Sequence, residues 1–471
     1  MKRIAIIGGG ISGLAAAFSV EESRRAGALL EYVLFESGSR FGGVLATERL
    51  QGCVVEGGPD SFLTEKPWAA ELCRKLGLED QLIGSNDAQR RTYILLRNKL
   101  VAMPDGLMFM VPTRIMPVVF SPLFSFSTKL RMAGEWFRRP QSRPDESVAA
   151  LVSRHYGAEM VERLADPLLS GVYGGEAAKL GARAVLPRFA EMEARYGSLG
   201  KGMLAARKKA AHSAAKPLFT SLKNGMQQLS DELLARLTPA SLRPNSPVEG
   251  VCRESDGWKI SCSGRRDSFD AVVLAVPAYS AAALLNDTSP QLASELGAIG
   301  YTSSVTIVLG YDQQVRASLP AGFGFLVPRC EGKRMLAATF VHNKFPFRSP
   351  EDRALIRCFF GGSRDEAAMQ SSEDEIVSLA RQELGQILGL AAEPLFARIL
   401  KWKASMAQYG VGHLERLDRI ERLRRQHSGL ALAGNAYRGI GVPDCVRSGQ
   451  EAAAELMAAV GVSPAQPVSQ E

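Results

Sequence analysis

Gly8-Gly9-Gly10-Ile11-Ser12-Gly13 decides how this chain is read. The six residues spell G-x-G-x-x-G between a short apolar run, Arg3 to Ile7, and an alanine-rich stretch that predicts a helix to about Ala26. In that strand-turn-helix context the first glycine permits the tight turn, the second lets backbone approach a pyrophosphate, and Gly13 lets the helix lie close on the strand. Unpaired N–H groups of the first helical turn then face phosphate. A second strand, Tyr32 to Phe35, ends at Glu36, 23 residues past Gly13, where a carboxylate can accept hydrogen bonds from ribose hydroxyls. A glycine turn that binds nothing is the alternative; strand, helix and Glu36 together favour a dinucleotide over it. The same glycines argue against a secretory leader, because they break the uncharged stretch from Ile4 to Val20 in its middle.

Working outward, 471 residues leave room for about three domains at roughly 150 residues each. Hydrophobic residues at 46% and charged residues at 23% are ordinary for a globular protein and exclude a disordered or fibrous chain. Fifty-seven Lys and Arg against 49 Asp and Glu give a net charge of +8, too mild and too scattered for nucleic-acid binding. An acidic small molecule or an anionic lipid surface stays open as a partner. The seven cysteines include no C-x-x-C pair and read as core thiols of a reducing cytosol. Histidines 155, 212, 342, 413 and 427 show neither triad nor metal spacing, so no metal site is expected. The uncharged apolar stretches 115–128 and 271–286 are too short and too interrupted by proline to span a membrane.

Further signals follow the first. Glu36-x-x-x-Arg40-x-Gly42-Gly43 continues directly from the second strand, and Glu56-Gly57-Gly58-Pro59 ends the next strand pair. Near the C-terminus come Gly434-Asn435, Gly439-Ile440-Gly441-Val442-Pro443 and Ser448-Gly449, another strand, glycine turn and helix start. Together these resemble the flavin family that includes amine oxidases, phytoene desaturases and protoporphyrinogen oxidases. The resemblance implies a Rossmann-like FAD-binding domain of the amine oxidase type, α/β in class, combined with an α+β part: an antiparallel-sheet substrate domain and a helical insertion. It implies that FAD is held without a covalent bond by Gly8, Gly9, Gly10, Ile11, Ser12, Gly13, Glu36, Arg40, Gly43, Val44, Gly58, Pro59, Asp60, Ser61, Val248, Asn435, Ile440, Gly441 and Val442. Cys445 follows the last glycine turn and reads as a buried thiol, not an attachment point. No second G-x-G-x-x-G offers a nicotinamide site, so electrons enter from an organic substrate and leave to oxygen or a membrane acceptor.

Within the family the detailed similarity is to protoporphyrinogen oxidases. It is carried by Val54 to Phe62, Pro144 to Val148, Asp166 to Gly175, Gly322 to Pro328 and Phe359 to Ser363. What this implies is a six-electron oxidation of protoporphyrinogen IX to protoporphyrin IX in haem biosynthesis, as three hydride transfers to FAD with release of H2O2. Coproporphyrinogen III oxidation is one alternative, and a flavin amine oxidase or carotenoid desaturase another. Gly171 is implied to lie over the flavin with its carbonyl toward the reacting carbon, and Leu326, Thr339 and Phe359 to line the macrocycle pocket. A rim arginine is expected for a substrate carboxylate. Arg91 is its candidate, although ungapped alignment on Tyr93 puts Thr92 at that position. Asp60 stands where some relatives carry arginine.

The chain divides into a first FAD-binding segment at 1–90, a helical and membrane-associated domain at 91–215, a second FAD-binding segment at 216–299, a substrate-binding domain at 300–402 and a third FAD-binding segment at 403–471. Asp145 is expected to cap a helix running to Tyr156. Apolar residues gathered between Met108 and Phe126, flanked by Arg114, Lys129, Arg131, Arg138 and Arg139, predict a cytoplasmic protein peripherally associated with the cytoplasmic membrane. Nothing in the sequence decides between a monomer and a homodimer.

Overall fold

A computed structural model describes residues 1–210, 216–255 and 257–462; His212 lies outside them. The first apolar run forms strand Lys2–Ile7 at the centre of a five-stranded parallel sheet. Its neighbours are Leu30–Phe35 and Ala271–Leu274, with Ile7 opposite both Phe35 and Leu274, and Leu242–Arg243 and Leu430–Leu432 form the edges. Parallel strands buried on both faces are apolar throughout, which is why Ile4 to Ile7 and Ala271 to Leu274 are all nearly inaccessible. Three separated stretches of sequence thus build one sheet. Helices Ile11–Arg25 and Val442–Ala459 cross on it so closely that a Cβ on Gly449 would stand 2.1 Å from the Ser12 carbonyl oxygen.

A seven-stranded sheet forms the second layer. Its order is Phe396–Ala407, Tyr301–Asp312, Arg353–Gly361, Ala337–Phe340, Gly324–Leu326, Thr92–Leu96 and Lys99–Ala102. It is antiparallel except where Gly324–Leu326 runs parallel to Thr92–Leu96. The hairpin 92–102 therefore completes this sheet, although its sequence adjoins the helical stretch. One face of the sheet packs a core of Val305, Ile307, Phe325, Ile356, Cys358 and Phe360 under helix Glu373–Leu388. On the opposite face Val308 and Leu355 pack against Cys53 and Val55 of the hairpin formed by strands Thr47–Leu50 and Cys53–Glu56.

Helices Phe126–Glu135, Val148–Tyr156, Asp166–Tyr173, Pro187–Tyr196 and Leu199–Ala210 gather on a third core that includes Leu151, Val152, Met160 and Leu164. Ser147, not Asp145, caps the second of these, accepting from Ala150 N at 3.1 Å. Asp145 instead accepts from Arg183 N and Gly412 N, tying the helices to the C-terminal segment. The apolar stretch 108–126 divides: Met110, Val111, Val118, Leu123 and Phe124 are buried, while Ile115, Met116, Phe120 and Phe126 are 67–82% exposed. Among the described residues no helix is long and apolar enough to cross a membrane.

Candidate functional site

The glycine turn is built as a cradle. Gly8 has φ +106° and a Cβ there would stand 2.4 Å from Ala275 O; on Gly13 it would stand 1.8 Å from Gly8 O, so the helix start rests directly on the turn. At Gly10 a Cβ would meet no heavy atom within 4 Å. The helix begins at Ile11 without a side-chain cap, leaving its first-turn N–H groups without side-chain partners beside that open space. Ile11 and Ser12 are buried in the first turn. The Glu36 carboxylate folds back on the cradle, accepting from Gly9 N at 2.8 Å and from Gly38 N at 2.7 Å. The turn between strands Leu242–Arg243 and Val248–Glu254 reaches the same place, because Ser246 N donates to Glu36 O at 2.8 Å and half-buried Val248 follows two residues on.

A wall extends from this cradle. The Arg40 guanidinium donates to the carbonyls of Phe41, Gly43 and Leu45, which makes it a brace for the loop. A Cβ on Gly43 would lie 3.2 Å from the Gly10 Cα, and one on Gly58 would lie 1.8 Å from Val44 O, so Gly10, Gly43, Val44 and Gly58 form one continuous backbone surface. Pro59 and Ser61 continue it, half-buried. Asp60 is engaged by Lys344 at 3.0 Å and by the Ser61 hydroxyl at 2.7 Å. Burial pushes its pKa up, but the charges of Lys344 and Arg357 and the Ser61 hydrogen bond outweigh that and hold it well below the usual carboxylate range.

The C-terminal turn closes the site from the other side. Asn435 donates from Nδ2 to Ser405 O at 2.9 Å and accepts at its carbonyl from Tyr409 OH at 2.8 Å. Gly439 N donates to the same Tyr409 hydroxyl. Ile440 and Gly441 lead into the helix at Val442, whose first turn holds Asp444 against Lys66 Nζ at 2.5 Å. Cys445 is buried on this helix, and burial pushes its thiol up to about 12, so it stands there as a neutral thiol.

Above this surface lies the free face of the seven-stranded sheet. Leu326 is opposite Ala337 and Ala337 opposite Phe359; the adjacent row runs Thr92, Gly324, Thr339, Arg357. Residues two apart share a face, so Leu326, Thr339 and Phe359 point the same way, and all three are half-buried. Gly171 sits near the end of helix Asp166–Tyr173, exposed, and a Cβ there would stand 4.0 Å from Leu326 Cδ2. Tyr173 anchors that helix end to the C-terminal segment through Gln408 Nε2, which donates to Tyr173 O at 2.6 Å, and by an edge contact with Tyr409. Tyr409, which also holds Asn435 and Gly439, thereby links the end of the helix that carries Gly171 to the C-terminal turn, with Leu326 beside Gly171. Arg91 is brought there only in part: its carbonyl accepts from Phe323 N at 2.7 Å while its side chain is exposed, and Thr92 is the residue in the cross-strand row.

Three residues at this junction escaped the sequence: Lys344, Arg348 and Arg357. Arg348 is paired with Glu56, both nearly inaccessible, and Arg357 donates to Gly58 O. The one available signal was Arg357 itself, a lone charge within the apolar strand Ala354 to Phe360.

The cradle, the wall and the open helix start fit a dinucleotide with a flavin ring, and comparison with known proteins agrees. The sequence pattern of the flavin containing amine oxidoreductases matches residues 11–457. The coproporphyrinogen III oxidase of Bacillus subtilis (strain 168) is 32% identical over 464 residues, covering 97% of this chain and 98% of that protein. The mitochondrial protoporphyrinogen oxidase of Nicotiana tabacum is 28% identical over 488 residues, covering 96% and 94%. A crystal structure from Exiguobacterium sp. 255-15, provisionally named a protoporphyrinogen oxidase, superimposes with a TM-score of 0.86 at 30% identity, covering 96% of this chain and 98% of that one. With the pattern matched across nearly its whole length, the chain belongs to the flavin containing amine oxidoreductases and is an oxidoreductase that holds FAD without a covalent bond.

Proposed function

We propose that this chain oxidises a porphyrinogen to the porphyrin in haem biosynthesis, with oxygen as the final acceptor. The observation that carries the reading is exposed Gly171 beside Leu326, on a sheet face that also presents Ala337, Thr339 and Phe359. A macrocycle suits such a face, and the names of the relatives support the same substrate class. FAD, when bound, supplies the hydride acceptor. The chain's own part is placement: Leu326, Thr339 and Phe359 orient the macrocycle, Gly171 leaves room over the reacting carbon and turns its carbonyl toward it, and Arg91 meets a carboxylate at the rim. Three rounds remove six electrons, each round ending in one H2O2.

Protoporphyrinogen IX is the substrate the sequence motifs point to first. Coproporphyrinogen III is the second reading, favoured by the 32% identity to the Bacillus subtilis relative against 28% to the Nicotiana tabacum one. Both go to one preparation of the yellow holoprotein, with porphyrin fluorescence and peroxide as readouts and putrescine as the amine control. The expected result is porphyrin formation with three peroxides per macrocycle and no peroxide from putrescine. Failure on both porphyrinogens would overturn the reading, and the faster of the two identifies the preferred one.

The location we propose is the cytoplasmic face of a membrane, met peripherally through the exposed half of the stretch 108–126. Ile115, Met116, Phe120 and Phe126 supply an apolar surface, and Phe137 extends it. The basic residues flanking that stretch would each add about 1 kcal/mol near an anionic leaflet.

A further inference from the structure

Three cations and two carboxylates meet where the seven-stranded sheet packs on Gly57-Gly58, and they do not pair evenly. Glu56 is closed by Arg348, by Met226 N at 2.7 Å and by the Thr47 hydroxyl at 2.7 Å. Asp60 is closed by Lys344, which donates to both of its oxygens, and by Ser61. Arg357 is left over. It is 5% exposed; among the described residues its sole hydrogen bond runs from Nη2 to the neutral carbonyl of Gly58 and its buried Nε has no partner; and its Cζ lies 4.8 Å over the Phe359 ring. Asp60 and Glu56 act on it only through space, against the repulsion of Arg348 and Lys344.

A guanidinium stays charged in a protein. Burying it without a contacting carboxylate is costly, and the cost is offset when an anion forms beside it. The position of Arg357 says which anion. Its hydrogen-bond partner, Gly58, belongs to the backbone wall that starts at the dinucleotide cradle, so the charge lies against that wall. A substrate carboxylate at the rim is solvated and has no such need of a buried partner.

We propose that Arg357 is the counter-charge for the reduced flavin, offsetting the negative charge that arrives with each hydride. A hydride carries one proton and two electrons. The substrate is left one unit more positive and sheds a proton from a pyrrole N–H, while the cofactor side becomes one unit more negative until oxygen takes the electron pair with two protons as H2O2. Arg357 takes no proton and forms no bond; it acts by charge alone. The inference rests on the porphyrinogen reading only for the source of the hydride.

The test uses no porphyrinogen, so its failure leaves that reading standing. Sulfite adds to an oxidised flavin, bleaches the yellow band and leaves a negative charge on the ring, which makes it a probe of nearby cations. In Arg357→Met holoprotein the sulfite dissociation constant should rise by about tenfold or more, whereas Arg357→Lys should stay within about threefold of wild type. The midpoint potential of Arg357→Met should fall in step, about 30 mV for each tenfold. Unchanged sulfite affinity and potential in Arg357→Met would overturn the proposal. Should Arg357→Met retain no flavin, Arg357→Gln takes its place with the same expected loss of about tenfold in sulfite affinity, and no bleaching of wild type by excess sulfite removes the proposal.

Discussion

Among the described residues outside its own helix, a methyl group added at Gly171 would come no nearer than 4.0 Å to any atom, that of Leu326 Cδ2, so the protein itself has room for it. Gly171→Ala should therefore leave the melting temperature within about 2 °C of wild type, as surface changes within ±0.5 kcal/mol do. Turnover should nevertheless fall on the order of 100-fold, because a 1 Å displacement of reacting atoms costs about that much. Near-normal kcat would show that Gly171 merely suits the helix. Glu36→Ala tests the cradle: it removes the acceptor held at Gly9 N and Gly38 N, and each hydrogen bond to a charged group is worth about 1.5–3 kcal/mol. FAD should bind at least about tenfold more weakly by equilibrium dialysis; an unchanged dissociation constant would take Glu36 out of the site. These residues were legible because glycine in a turn and an acid at a strand end follow from local geometry. Lys344 and Arg348 were not, because each owes its partner to a chain segment some 290 residues away.

Helix ends and helix faces follow different rules. Glu135, the last residue of helix Phe126–Glu135, caps the start of helix Leu199–Ala210, accepting from Ser198 Oγ at 2.8 Å and Leu199 N at 2.5 Å, with His155 Nδ1 at 3.1 Å. Burial pushes its pKa up, but the bonds from His155, Ser198 and Leu199 outweigh this and hold it below its ordinary value of 4.5. A carboxylate depressed on folding stabilises the fold fully above its unfolded value and ceases to do so as pH falls through the folded one. Glu135→Gln should thus be less stable than wild type by about 1–3 kcal/mol at neutral pH, and the gap should close below pH 4.5. A denaturant series at several pH values reads it directly; a gap independent of pH would contradict the assignment.

The neighbouring apolar face is tested by flotation. Wild type should rise with anionic vesicles at low salt, and Phe120→Asp combined with Phe126→Asp should not, both side chains being largely exposed and free of the core. Phe124 is no use here because it is buried. Wild type that stays at the bottom would remove the membrane reading. The sequence made the apolar cluster visible but not its division, since short proline-broken segments carry no periodicity from which an inner and an outer side can be read. The same holds for the helix start at Val148, where Asp145 and Ser147 are both good caps and only packing against Gly412 decides between them.

At the scale of the molecule the parallel sheet was legible from its motifs, because a phosphate turn demands a strand before it and a helix after it. The joining of hairpin 92–102 to strand Gly324–Leu326 was not, since sheet partners across 230 residues leave no mark on local pattern. FAD should stabilise the whole, as its site draws on all three stretches that build the parallel sheet. Free FAD at about 100 times its dissociation constant should add about 2.7 kcal/mol over the apoprotein, and acid precipitation should release the yellow colour into the supernatant. Colour retained in the washed pellet would mean a covalent link.

That three-part sheet also governs the order of events during synthesis. Strand Lys2–Ile7 leaves the ribosome well before its neighbour Ala271–Leu274, and the edge strand Leu430–Leu432 follows later still. Until then the cradle around Gly8 has only half of its walls, and helix Val442–Ala459, which lies against Ser12, is missing. The nascent N-terminal segment must wait, with Ile4 to Ile7 unshielded on one edge, for contacts of high sequence separation that form slowly. The complete cradle is therefore assembled late, and the vulnerable species is the nascent, flavinless chain whose central strand still lacks one of its two neighbours.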